Sequence, residues 1–389
     1  MSARLFDPLA LRGVALRNRV VVAPMCMYSA DDGLAGDFHL VQAGRYALGG
    51  AALVFLEATA VQPEGRITHG DLGLWSDAHA RPLARIAAFL QSQGCAAGIQ
   101  LAHAGRKASM QRPWFGNGPL GADDAARGDL PWPTVAPSAQ PVADGWLVPA
   151  ELGEPELERL VADFRAAAAR ARDAGFDAIE LHCAHGYLLH TFLSPLTNLR
   201  TDHWGGDRER RMRLPLAVAG ALREAWPDDR PLFVRVSAVD HEPGGLAIED
   251  TVAFARALAA LGVDVVDCSS GGAGGSPTAG HAPRGYGFQV PYAARVRRDA
   301  GVATMAVGLV VDARQADSIV ARGDADLVAV ARGALHDPNW PLHARAALGV
   351  DAPAERFAAW PRQAGWWLQR RQATLDRLGP YEPPSGDTA

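Results

Sequence analysis

The chain has 389 residues, and 48% of them are hydrophobic, so the sequence can bury a large core. Its formal net charge is -5 and its isoelectric point is near 6.2, and no block of basic residues stands out. These values argue against a nucleic-acid partner, because affinity for nucleic acid depends on clustered positive charge.

Four cysteines lie far apart in the sequence, and no CxxC pair is present. They are Cys26, Cys95, Cys183 and Cys268. This spacing argues against a structural zinc site or an iron–sulfur cluster and favours a reduced protein. The first residues carry no apolar stretch typical of a signal peptide, and no apolar run is long enough to span a membrane. We therefore expect a cytoplasmic protein that has no membrane partner.

Eight short apolar runs recur along the chain, and longer segments with helical spacing of apolar residues separate them. The runs span residues 18–24, 52–61, 95–103, 177–185, 231–238, 263–271, 303–308 and 326–333. The helical segments include 154–174, 249–261 and 312–322. This alternation predicts an α/β fold, a parallel (β/α)8 TIM barrel. A doubly wound open sheet is the main alternative, but no GxGxxG motif follows any of the runs.

Two stretches fall outside this repeat. Residues 108–149 are rich in Gly, Pro, Trp and Asp, and they follow the third run, on the side where barrel active sites lie. We expect them to form an excursion that caps the mouth of a barrel domain spanning 1–350. Residues 351–389 form a C-terminal tail whose tryptophans suggest docking on the barrel or on a neighbouring subunit.

The segment ELHCAHGYLL, residues 180–189, places His182, His185 and Tyr187 where the fourth run ends. Such a group is compatible with a metal site, an acid/base pair, or a pair of donors for a substrate oxygen. Metal-dependent barrels usually supply several His and carboxylate ligands from different strand ends. The carboxylates near strand ends are few here, so a metal is the least favoured of the three.

The seventh and eighth runs end at positions where TIM barrels commonly bind a phosphate group. Gly308 lies at the end of one, and Ala331 and Arg332 at the end of the other. Arg235, at the end of the fifth run, adds a further polar group from the same side. The combination indicates a phosphate-bearing cofactor with a flat, hydrogen-bonding ring.

Several long motifs at these strand ends resemble the Old Yellow Enzyme family of FMN-dependent ene-reductases. The motifs include APMCMYS (23–29), EATAVQPEGRIT (57–68), IQLAHAGRKAS (99–109), ELHCAHGYLLHTFLSPLTNLRTD (180–202), LFVRVSA (232–238) and VDVVDCSSG (263–271). The first of them is similar to the bacterial, thermophilic-like subclass. The resemblance runs from about residue 4 to residue 350 and leaves the tail uncovered.

The resemblance implies an FMN site over the barrel mouth. The residues it assigns to FMN are Ala23, Pro24, Met25, Cys26, Ala58, Gln100, Arg235, Gly308, Ala331 and Arg332. The first four would run along the flavin, and Ala58 and Gln100 would border its pyrimidine side. Arg235 would lie near N1–C2, and the last three would hold the phosphate. The family usually has Gly-Arg where this chain has Ala331-Arg332.

The resemblance also implies an NADPH dehydrogenase and ene-reductase with a ping-pong cycle. NADPH (or NADH) reduces the flavin, and hydride then passes from flavin N5 to the β-carbon of an α,β-unsaturated carbonyl compound. His182 and His185 would donate hydrogen bonds to the carbonyl oxygen, and Tyr187 would deliver a proton to the α-carbon. Tyr28 would contact the substrate. Arg362 would reach a neighbouring active site in a homodimer or homotetramer.

Two other functions are compatible with parts of this pattern. A related flavin barrel could act on an aryl- or enoyl-CoA thioester, and the sequence separates that activity poorly from reduction of a free enone. A flavin-storage barrel would need no proton donor beside the flavin, so the set of His182, His185 and Tyr187 argues against it.

Overall fold

The computed structural model describes residues 3–273 and 284–381. Its strands, in chain order, are β1 (Leu9–Leu11), β2 (Val14–Leu16), β3 (Val20–Val22), β4 (Leu53–Ala60), β5 (Leu72–Gly73), β6 (Ala96–Ala102), β7 (Val135–Ala136), β8 (Ala150–Glu151), β9 (Ala178–Cys183), β10 (Leu232–Ser237), β11 (Val265–Ser269), β12 (Ala303–Ala306) and β13 (Leu327–Val330). The α-helices are α1 (Asp37–Leu48), α2 (Asp77–Ser92), α3 (Ala122–Ala126), α4 (Glu154–Asp173), α5 (Leu188–Leu193), α6 (Arg208–Ala225), α7 (Ile248–Ala260), α8 (Val290–Ala300), α9 (Ala313–Ala321), α10 (Arg332–His336), α11 (Trp340–Ala347) and α12 (Arg362–Leu378).

Eight of these strands form a closed parallel barrel. Around the barrel the order is β3, β13, β12, β11, β10, β9, β6 and β4, and β3 closes the ring by pairing with both β13 and β4. Each barrel strand lies within one of the eight apolar runs, so the predicted TIM barrel is confirmed. Nearly every residue of these strands is buried, as expected for parallel strands covered by helices.

The inside of the barrel changes from apolar to polar along the strands. Near the amino-terminal ends, Phe55 and Phe233 pack edge to face, with their ring centroids 5.2 Å apart, and the β1–β2 hairpin contributes Leu11 and Leu16 to the same cluster. The next inward positions are Gln100, Glu180, Arg235 and Asp267, and all four are buried. The apolar layers therefore fill the base, and the polar residues collect toward the mouth.

A β-bulge in β4 lies beside the polar layers. Leu56 pairs with Ile99, but Ala58 pairs with Gln100, so Glu57 is an extra residue in the ladder. Glu57 consequently points out of the barrel, where its Oε2 accepts a hydrogen bond of 2.9 Å from the Met27 N–H. The bulge thus lets β4 hold the loop after β3 while Ala58 faces the mouth.

Part of the 108–149 excursion packs at this mouth. Trp132 and Trp146 contact a small cluster built on Ala108 and Met110, and Cys26 and Tyr187 contact the same cluster. The indole N–H of Trp132 donates to the Glu64 carbonyl at 3.0 Å. The excursion therefore forms one wall beside the predicted site.

The C-terminal tail ends in helix α12, on which only Gly365 is buried. Trp366 and Trp367 are 50% and 68% exposed among the described residues, and their docking on a neighbouring subunit, one of the two alternatives, stays a prediction. Residues 382–389 of the tail lie outside the described residues. Within the described part of the chain, no helix has the length and apolar character needed to cross a membrane.

Truncating the ring of Phe233 tests the apolar layer. Phe233→Ala removes a fully buried ring and should lower the free energy of unfolding by about 3–5 kcal/mol, measured by urea denaturation. Val41→Ala, at a position that is 67% exposed on α1, should change it by less than about 0.5 kcal/mol. Equal losses in the two variants would contradict a packed barrel interior.

Candidate active site

A cleft opens at the carboxyl ends of strands β10 to β13. Its volume is 570 Å³, within the range typical of cofactor pockets. His185 and Arg235 line one part of the cleft, and Gly308, Ala331 and Arg332 line another. Five residues that the sequence suggested for this region therefore share one cavity.

One end of the cleft has the chemistry of a phosphate site. Arg284 and Arg332 both line the cavity, and an arginine guanidinium suits a phosphate group. Gly308 has φ +110°, and a Cβ there would lie 3.0 Å from both Phe288 and Gln289, so glycine is required. Ala331 has φ -110°, outside the left-handed region that favours glycine, so the sign of φ does not require glycine at this position.

The polar layer beneath the cleft is a compact group of buried charges. Arg235 Nε lies 3.1 Å from Asp267 Oδ2, and Gln100 Nε2 donates to Glu180 Oε1 at 2.7 Å. Burial and the neighbouring Asp267 raise the pKa of Glu180 to about 8. Burial also raises the pKa of Asp267, and Arg235 lowers it, so two carboxyl groups of raised pKa lie beside the single guanidinium of Arg235.

His182, His185 and Tyr187 come together as predicted. The ring of His182 lies 5.1 Å from that of His185 and 5.0 Å from that of Tyr187, in both cases edge to face. Burial and the positive charge of Arg235 lower the pKa values of both histidines well below the usual value. Burial raises the pKa of Tyr187 well above its usual value. At neutral pH the site therefore presents two uncharged imidazoles and a protonated phenol.

The hydrogen bonds of the two histidines fix which ring nitrogens carry protons. The Ala184 N–H donates to His182 Nδ1 at 3.2 Å, so the proton of neutral His182 is on Nε2. That Nε2 lies 3.4 Å from His185 Nδ1, and His185 Nε2 lies 2.7 Å from Ser269 Oγ. The His182 N–H thus faces His185, and the His185 N–H faces Ser269.

Buried side chains that the sequence did not single out hold the turn after β9. Ser237 Oγ accepts a hydrogen bond from the His185 N–H at 2.9 Å and donates to the Gly271 carbonyl at 2.6 Å. His190 Nδ1 accepts from the Gly186 N–H at 2.7 Å, and its Nε2 lies 2.9 Å from Asp240 Oδ1. The sequence feature that could have identified His190 is its position three residues after Tyr187.

The loop after β3 forms the opposite side of the mouth. Cys26 is half-buried, and burial together with Asp71 and Glu57 raises the pKa of its thiol well above the usual value. Tyr28 has φ +53°, and its ring meets Trp114 edge to face at 6.0 Å. Burial and nearby Cys26 and Tyr187 raise the pKa of Tyr28 as well, so both groups stay protonated at neutral pH.

Arg362 lies apart from these residues within the chain. It is the first residue of α12, and it lines a second groove, of 520 Å³, with Phe357, Trp360 and Trp366. Among residues 3–273 and 284–381, no three His, Cys, Asp or Glu side chains are grouped so that they could hold a metal ion.

Comparisons with known proteins identify the family of this chain. The model of the NADH:flavin oxidoreductase / NADH oxidase family matches residues 4–350. An NADPH dehydrogenase of Listeria monocytogenes serotype 4a (strain HCC23) is 43% identical over 363 residues, which are 92% of this chain and 99% of the relative.

The chain belongs to the NADH:flavin oxidoreductase / NADH oxidase family.

Solved structures of the Old Yellow Enzyme type share the fold. A morphinone reductase mutant in complex with tetrahydroNAD has a TM-score of 0.71 and 27% identity, over 89% of this chain and 91% of that one. The Old Yellow Enzyme homologue from Zymomonas mobilis has a TM-score of 0.72 and 24% identity, over 92% of this chain and 96% of that one. The predicted family is confirmed.

Membership of this flavin oxidoreductase family makes the chain an FMN-dependent NADPH dehydrogenase, with a nicotinamide as the reductant. The cleft fits FMN, because Arg284 and Arg332 line it and suit the phosphate group, and Arg235 lines it as a further hydrogen-bond donor. In this flavin oxidoreductase, Arg284, Phe288 and Gln289 also line the cleft. The sequence did not single them out because they lie outside the strands.

Buried neutral histidines make the stability of this flavin oxidoreductase depend on pH. Burial lowers the pKa of His103 to about 3, whereas an unfolded histidine titrates near 6.5. The unfolded chain therefore binds more protons below pH 6.5, and stability falls as the pH drops through that value. At pH 5.5, His103 alone should cost about 1.4 kcal/mol relative to high pH.

The variant His103→Gln should lose less stability between pH 7.5 and pH 5.5 than the wild type, as measured by urea denaturation at both pH values. His336→Gln, at an exposed position, serves as the control and should retain the wild-type slope. An unchanged slope in His103→Gln would show that His103 is charged in the folded protein.

Proposed function

We propose that this flavoenzyme reduces the C=C bond of α,β-unsaturated carbonyl compounds. The observation that carries the proposal is the pairing of two neutral imidazoles with a protonated phenol, His182, His185 and Tyr187, beside the FMN cleft. When bound, FMN supplies the hydride that it has received from NADPH or NADH. The residues of the chain then have to bind the carbonyl group, stabilise its developing charge and supply a proton.

The two histidines suit the carbonyl oxygen. As the β-carbon gains hydride, negative charge grows on that oxygen, and fixed N–H donors stabilise it more than they stabilise the neutral substrate. Neutral imidazoles suit this task, since each still carries one N–H group. Removing one such donor typically costs about 3 kcal/mol of transition-state stabilisation.

The carbonyl would have to compete with Ser269 for one of these donors. His185 Nε2 now lies 2.7 Å from Ser269 Oγ, whereas the contact between the two histidines is longer, at 3.4 Å. The His182 donor is therefore the more available of the two, and it is expected to make the stronger contact with the substrate. His185 would join it after a rotation of its ring away from Ser269.

Tyr187 is the proposed proton donor to the α-carbon. Burial and the nearby Cys26 keep its pKa high, so it stays protonated until a strongly basic carbon forms beside it. Tyr187 is among the groups that raise the pKa of Tyr28, and we infer that Tyr28 orients the substrate beside it. Trp132 and Trp146 of the excursion pack in the cluster that Tyr187 contacts, so they would exclude water from the proton transfer.

Separate half-reactions test the proposal. Anaerobic NADPH should bleach the flavin absorbance, and 2-cyclohexenone should then restore it. His182→Ala should slow the second step about 100-fold or more, and Tyr187→Phe should slow it by at least about 100-fold, measured by stopped-flow absorbance. Tyr292→Phe, a half-buried tyrosine on α8, is the matched control and should behave as the wild type.

The other outcomes are equally informative. If NADPH bleaches the flavin but no enone restores the colour, a CoA thioester becomes the better substrate class. If Tyr187→Phe keeps the wild-type rate, the proton comes from another group or from water. A protein that takes up no FMN would overturn the assignment of the cleft.

We further propose that the chain forms a homodimer or homotetramer in which α12 contacts a neighbour. Its Trp366 and Trp367 are exposed in the single chain, and Arg362 lies on the same segment. If Arg362 reaches the partner's substrate, Arg362→Ala should raise KM for the enone while leaving the rate of flavin reduction unchanged. An unchanged KM, or a monomer by light scattering, would exclude this role.

A further inference from the structure

Lys107 is the only lysine in the sequence, and it is buried. Among 389 residues no other lysine occurs, and this side chain is only 1% exposed. Lysines are seldom buried so completely, because removing an ammonium group from water is costly. Burial and the adjacent Arg106 lower the pKa of Lys107 to about 7, which reflects that cost. We therefore ask what the buried ammonium group contributes to the neighbouring active site.

The hydrogen bonds of Lys107 join two loops of the active site. Its ammonium group donates to the His185 carbonyl at 2.9 Å and to the Gly272 carbonyl at 2.6 Å. The first carbonyl belongs to the turn that carries the catalytic histidines. The second belongs to the segment after β11, and Gly272 lines the FMN cleft.

The two loops interlock where Lys107 meets them. A Cβ on Gly186 would lie 2.1 Å from the Gly272 carbonyl oxygen, and a Cβ on Gly272 would lie 2.5 Å from the His185 backbone. No side chain can separate the loops at this point, so their backbone carbonyls approach each other. A positive group between the carbonyls removes the repulsion that they would otherwise exert on each other.

The backbone of His185 needs such support. His185 has φ +62°, a left-handed conformation that is unfavourable for a residue with a side chain. Ser237 and His190 hold the N–H groups of His185 and Gly186, but neither of them touches the His185 carbonyl. Lys107 is the side chain that holds this carbonyl.

We propose that Lys107 is a positioning residue for the reaction. Its ammonium group fixes the left-handed turn at His185 against Gly272, and so it sets where His182 and His185 present their N–H groups relative to the bound FMN. This inference rests on the proposed function only for its kinetic test, since the fastening of the two loops can be measured without any turnover.

Kinetics of two lysine variants and one control give the first test. Lys107→Met retains the length of the side chain without its donors, and it should slow the enone half-reaction about 100-fold, because a shift of about 1 Å at reacting groups has that effect. Lys107→Arg restores a cation with N–H donors, and it should be faster than Lys107→Met. FMN content should remain at the wild-type level in both.

Arg211→Met is the matched control for a purely structural role. Arg211 is also a buried cation that donates to two backbone carbonyls, those of Leu193 and Gly206, but on helix α6 away from the cleft. It should lose stability without loss of the enone half-reaction. If Lys107→Met reacts at the wild-type rate, or if Arg211→Met slows the reaction equally, Lys107 has no positioning role.

A spectroscopic test uses the fact that one lysine gives one signal. Protein grown with lysine labelled by ¹⁵N at Nζ should show a single protected ammonium resonance at pH 6, below the pKa of Lys107. Adding 2-cyclohexenone to the oxidised protein, which cannot turn over, should shift that resonance. A resonance broadened by fast exchange with water, or one that the ligand leaves unmoved, would overturn the proposal.

The two tests separate the inference from the proposed function. A wild-type enzyme that fails to reduce any enone would refute the proposed function. The resonance of the Lys107 ammonium group can still be recorded in that protein, because its protection from exchange does not depend on turnover. The shift of the resonance on adding a ligand can also still be measured.

Discussion

Closure of the sheet is the constraint on which the site depends. Because β3 pairs with both β13 and β4, the eight parallel strands end on one rim, and residues far apart in sequence become neighbours there. Side chains alternate along each strand, so only every second residue faces inward. On β9 these residues are Glu180 and His182, and on β10 they are Arg235 and Ser237. The hydrogen-bond register, more than any local motif, assembles the polar layers of the mouth.

Burial sets the charge of those layers. The histidines, Tyr187 and Cys26 are all uncharged at neutral pH for the same reason, which is that water cannot solvate their ionised forms. Arg235 adds to the effect at the histidines, and Asp267 adds to it at Glu180. The mouth thus combines many hydrogen-bond donors with little net charge, which suits the proposed substrate class, neutral before the reaction and negative at its carbonyl oxygen during it.

The sequence predicted the barrel and the residues of the rim, because both follow from local patterns. Apolar runs with β-branched residues define strands, and polar residues at their ends define the mouth. What it did not predict depends on contacts between distant segments. Ser237 and His190 support the turn at His185 through bonds to backbone groups, and Gln289 lies outside the strands; no periodicity marks such residues. The sequence also did not distinguish docking of the tail on its own barrel from docking on a neighbouring subunit, since that depends on the surface that α12 meets.

The bulge in β4 shows how an extra residue can change a site without any change of side chains. In an unbroken strand the inward positions after Phe55 would include Glu57, whose carboxylate would then lie at the rim beside Gln100. With the bulge, Ala58 takes that inward position, and the carboxylate turns outward to hold Met27. The extra residue in β4 therefore decides whether a carboxylate or a methyl group faces the mouth of the barrel. Among relatives, insertions and deletions in this strand would alter the electrostatics of the flavin pocket more abruptly than point substitutions on its inner face.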